Sequence, residues 1–110
     1  MLNRAVLIVR PKQPYLDWAA SLDDSGTVPN VTGEQTVYLI TEYATYDEAQ
    51  EVLEMVYAAV FEMELGGWHT DEAAWPPKRD FQTFVAWFSV EMHSVVEDTG
   101  FAGGRTVNIR

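Results

Sequence analysis

The chain of 110 residues contains no cysteine. Disulfides, thiolate zinc sites and cysteine nucleophiles are excluded with it. Positive charge is scarce: 7 Lys and Arg stand against 17 Asp and Glu, for a formal net charge of −10. That balance repels phosphate backbones and anionic bilayers, so it argues against nucleic-acid and membrane partners. Long apolar runs are missing too. The N-terminal run Ala5-Val-Leu-Ile-Val9 is too short for a signal peptide, and no stretch approaches the ~20 residues of a membrane span. The expected location is cytoplasmic. There is no Gly-rich phosphate loop, no HExxH and no nucleophile elbow. Ser89 and His93, four residues apart, lack the oxyanion hole that acyl transfer needs.

What is present is a core. Apolar residues make up 47% of the chain and aromatics 13%, which fits one folded domain over 1–110. Residues 4–10, Arg-Ala-Val-Leu-Ile-Val-Arg, read as a strand apolar on both faces, stopped by Pro11. Pro14 suits a helix first turn, and Tyr15, Trp18, Ala19 and Leu22 follow at i, i+3, i+4 and i+7. Residues 25–35 read as a loop. Residues 36–42, Thr-Val-Tyr-Leu-Ile-Thr-Glu, read as a second strand, and two strands around a helix suggest a β-α-β unit.

Thr45 and Glu48 form a capping-box pattern that opens a helix over 46–65, with Gly66-Gly67 as its stop. Thr70 is a candidate cap for one turn over 71–75, before Pro76-Pro77. Asp80 then caps a predicted helix over 81–98, whose stripe is Phe81, Phe84, Val85, Phe88, Met92, Val95 and Val96. Residues 99–110 read as an edge strand, on the alternation of Thr106 to Arg110, or as a flexible tail. The expected fold is α+β, or a small α/β: a two- or three-stranded sheet with three helices packed on it.

Charge is segregated. Residues 41–98 carry thirteen acids against Lys78 and Arg79, whereas both ends are basic. Glu97 and Asp98 would lie at the unfavourable end of the last helix, which suggests Arg105 or Arg110 as a neighbour.

Two sets of residues could carry function. Trp68-His69-Thr70-Asp71 and Trp75, between a Gly pair and a Pro pair, form a shaped aromatic loop. Trp87 adds apolar surface off the main stripe of the last helix. Aromatic richness without a catalytic signature points to an interaction module, with Trp68, His69, Asp71, Trp75 and Trp87 binding a protein partner or a second copy in a homodimer. The same tryptophans could instead plug the helix ends. The alternative is a divalent-metal enzyme or metal-binding protein using His69, Asp71, His93 and Glu97. In a helix over 81–98, His93 and Glu97 share a face and Glu91 lies across from them. No other cofactor is implied.

Three blocks, Arg10-Pro-Lys-Gln-Pro-Tyr-Leu-Asp-Trp18, Gly67-Trp-His-Thr-Asp71 with Trp75-Pro76, and His93-Ser-Val-Val-Glu-Asp98, resemble a group of small acidic bacterial proteins with no assigned function. The resemblance runs to about Asp98, and the tail from Thr99 departs from the acidic end of that group. It implies a bacterial, cytoplasmic source and carries over no site residue.

Overall fold

A computed structural model describes residues 3–23, 25–29 and 35–100. The element order is β1 (Ala5–Pro11), α1 (Gln13–Ser21), β2 (Val37–Ile40), α2 (Tyr46–Trp68), α3 (Phe81–Trp87) and β3 (Phe88–His93). The three strands form one sheet in the order β2-β1-β3, antiparallel throughout. The fold is α+β, as the pattern of elements predicts. The expected strand over 106–110, and the proposed basic neighbours Arg105 and Arg110, lie outside the described residues.

β1 is the centre of the sheet. Ala5, Leu7 and Val9 point to the helices and are buried, with 0%, 0% and 1% of their surface exposed. Val6 and Ile8 point the other way and are half-buried. The doubly apolar sequence of β1 thus reflects its central place in an antiparallel sheet. β1 and β2 pair antiparallel, Ala5 with Ile40 and Ile8 with Val37, so the β-α-β unit suggested by the sequence does not form.

The largest correction falls on residues 81–98. The helix stops at Trp87 and the chain continues at once as β3. Phe88 and Met92 are four apart, so they fit a helical stripe. They are also alternate members of Phe88-Val90-Met92, which fits a strand. Tertiary context decides between them: the second edge of β1 needs a ladder partner, and residues 88–93 supply it from Val6↔His93 to Pro11↔Phe88.

Helix ends differ in smaller ways. The Thr45 hydroxyl accepts from the Glu48 N–H at 3.1 Å, as a cap should, while the Glu48 carboxylate accepts from Ala44 N–H at 3.3 Å, one residue before the cap. α2 runs through Gly66-Gly67 to Trp68. Asp80 caps α3, accepting from the Thr83 N–H at 2.8 Å. Asp71, not Thr70, caps the short turn Glu72–Ala74, accepting from Ala73 N–H at 3.0 Å.

The core lies between the sheet and the helices, with aliphatic residues of β1 and α2 around an aromatic cluster. Phe61 on α2 meets Phe84 at 5.8 Å, Trp87 at 5.7 Å and Phe88 at 5.5 Å between ring centroids. Tyr15 on α1 meets Phe88 at 5.2 Å, closing the cluster. No buried side-chain polar atom among the described residues lacks a hydrogen-bond partner. No described helix is long and apolar enough to cross a membrane.

Candidate functional site

The tryptophans are engaged in the molecule's own packing. Trp75 lies over the last turns of α2, where a Cβ built on Gly66 would meet its ring at 3.5 Å. Its Nε1 donates to the His69 carbonyl at 2.8 Å, and the Arg79 guanidinium sits 5.7 Å from its ring centroid. Trp18 Nε1 donates to the Ala74 carbonyl at 2.9 Å, which ties the 69–80 segment to α1. Trp87 packs against Trp18 and Tyr15, each at 6.2 Å, as well as Phe61. Trp68, Trp75 and Trp87 each keep part of their surface in solvent.

The histidine and acid set is dispersed. His69 caps the end of α2, its backbone N–H donating to Leu65 at 2.9 Å. Asp71 is occupied as a cap. His93 lies on the opposite face of the sheet, where its Nε2 is 2.7 Å from a Glu91 carboxylate oxygen. The helical pairing of His93 with Glu97 is therefore replaced. On a strand, residues two apart share a face, so Glu91 is the neighbour and not the excluded residue. Glu97 follows β3 in irregular chain. The His93 hydrogen bond, with Arg10 adding its charge, holds the Glu91 carboxyl below the usual carboxylate range. Among the described residues no group of three or more His, Asp or Glu is placed to hold a metal ion.

Two other features stand out. The first is the face of the sheet turned away from the helices. It presents Val6 and Ile8 on β1, Val37 and Leu39 on β2, and Ser89, Glu91 and His93 on β3, with Arg10 at one end. Val37 is 53% exposed and Leu39 63%. Arg10 Nη1 lies 3.4 Å from Glu91, so an apolar strip borders a charged column. The strand registers generate this face, and it could not be seen while 88–93 was read as helix.

The second is a cleft of about 350 Å³ between β2, the start of α1 and the end of α2. Tyr15, Tyr38, Met63, Glu64 and Trp68 line it, with Pro11, Pro29, Gln35, Thr36 and Gly67. The Tyr38 hydroxyl donates to the Glu64 carboxylate. The Tyr15 hydroxyl donates to the Glu64 carbonyl at 2.7 Å. Burial pushes the Glu64 carboxyl above its ordinary range, and the Tyr38 hydrogen bond only partly opposes this. Burial, with Glu64 alongside, pushes both phenols further above theirs. The spacing held a signal for Glu64. It falls on the stripe of Leu53, Val56 and Val60, the buried side of an amphipathic helix.

The molecule is thus an α+β domain with one sheet face that no described helix covers and a carboxylate, Glu64, in an aromatic cleft. No known protein family, curated protein or solved structure matches the chain.

Proposed function

We propose that the protein is an interaction module that associates with a second copy of itself through the sheet face that no described helix covers. The observation that carries this reading is the exposure of Val37 and Leu39 beside Val6 and Ile8, an apolar strip that no described helix covers. The sheet face is favoured over the Trp68–Trp75 loop because the loop is tied within the molecule: Trp75 donates its indole N–H to the His69 carbonyl, and the Ala74 carbonyl accepts from Trp18 of α1. A copy of the same chain suits this face as the occupant. A two-fold axis across the strands would lay the apolar strip of one copy on that of the other, with the Arg10–Glu91 pair of each copy beside it. At about 4.8 Å between strands and 3.4 Å per residue, the face offers roughly 300 Å² per copy. That is well under the roughly 800 Å² per partner of a stable interface, so the dimer is weak and concentration-dependent.

Sedimentation velocity from nanomolar to high micromolar protein tests this. The wild type should move towards dimer as concentration rises. Leu39→Lys should remain a monomer with an unchanged circular dichroism spectrum, and Trp75→Ala should dimerise like the wild type if it stays folded. A wild type that is monomeric throughout, or a Leu39→Lys variant that associates equally well, overturns the proposal. Cytoplasmic location and a bacterial source belong to the same proposal, and the sequence resemblance supports both.

A further inference from the structure

From the geometry of the cleft between β2 and the C-terminal end of α2, we infer that it is a binding site for an organic ammonium group, with Glu64 as counter-ion and the surrounding rings as its apolar wall. Glu64 stands partly buried on the inward stripe of α2, and its carboxylate accepts the Tyr38 hydroxyl. Among the described residues no basic side chain forms an ion pair with it. A half-buried carboxylate with one neutral donor is under-compensated: it has lost water and gained no opposite charge. Burial accordingly holds its carboxyl above the usual range. The Tyr38 and Tyr15 hydroxyls are committed to the carboxylate and to the carbonyl of the same residue, so both rings are fixed in place.

The ligand class follows from the lining. An anion would meet both Glu64 and a net charge of −10. A neutral apolar molecule would leave the carboxylate unpaired. An ammonium supplies the missing charge, and the partly exposed rings of Tyr38 and Trp68 suit a cation and its alkyl shoulder. The volume suits a small molecule or one side chain, near the lower limit for ligand pockets. Two sources present this group: a free alkylamine, and a lysine side chain of a polypeptide.

The test is a titration of the folded protein with n-butylammonium chloride, followed by amide and indole NMR shifts. n-Butanol in matched sodium chloride is the control. Saturable shifts at Tyr38, Glu64 and Trp68 are expected in the millimolar range, with none from butanol. Glu64→Gln keeps an acceptor for Tyr38 but not the charge, and should bind about tenfold more weakly. Tyr38→Phe keeps the charge and should bind within about twofold of the wild type. Binding should also weaken on acidification, beginning above the ordinary carboxylate range. Tighter binding of Nα-acetyl-lysine amide than of butylammonium would identify a polypeptide lysine as the source; weaker binding would identify a free amine. Equal shifts from butanol and butylammonium, or unchanged affinity in Glu64→Gln, would overturn the assignment and leave the Tyr38–Glu64 bond as a strut between β2 and α2.

Discussion

Glu64 shows how one side chain can work against the fold that holds it. In the unfolded chain its carboxyl ionises in the ordinary range; in the folded protein burial delays ionisation to higher pH. Between those two values the folded state keeps a proton that the unfolded state has lost. The stability tied to the neutral form is therefore complete below the ordinary carboxylate range and is lost as pH rises through the raised value. Glu64→Gln should melt higher than the wild type at neutral pH. The gain should vanish in acid, and thermal melts across that range would show it. Gly67 presents the opposite situation. It is helical, and a Cβ added there meets nothing within 4 Å. Gly67→Ala should stabilise the protein by about 0.5 kcal/mol in chemical denaturation, because it restricts the unfolded chain more than the folded one.

Among the elements, those with local causes were legible in the sequence. α2 announces itself through Thr45 and Glu48, and Thr45→Ala should cost about 1 kcal/mol of unfolding free energy, since the Glu48 N–H loses its acceptor. α1 carries a proline, Pro14, in its first turn and buries Tyr15 and Ala19 as its spacing requires. The start of α3 is equally local, with Asp80 closing its first turn. Where the cause is distant, local pattern fails. Nothing near Phe88 distinguishes a helix from a strand, because the deciding partner is β1 at the other end of the chain. Gly66-Gly67 reads as a stop, yet the ring of Trp75 covers the helix at Gly66 and the turn continues. The site shares this division. The tryptophan loop is visible as composition, whereas its ties to α1 and α2 are not. Glu64 is visible as an acid on an apolar stripe, but Tyr38 and Tyr15 reach it only through the tertiary fold.

Across the molecule, an aromatic cluster joins α1, α2, α3 and β3. Phe61, with none of its surface exposed, touches three other rings. Phe61→Ala should cost about 3–5 kcal/mol, a large fraction of the roughly 5–15 kcal/mol available to a domain, so guanidinium unfolding should show a severely lowered midpoint. The ladder that closes the sheet joins residues as far apart as Val6 and His93, and the Arg10–Glu91 side-chain contact beside it spans 81 positions of the chain. That separation fixes an order of events in the cell. When β1 leaves the ribosome its main partner has yet to be made, and its apolar residues must wait while most of the chain is synthesised. Folding is therefore a late, nearly all-or-none step, slowed by closure of the longest loop. Until that step, the apolar residues of β1 lack the ladder and the helices that bury them.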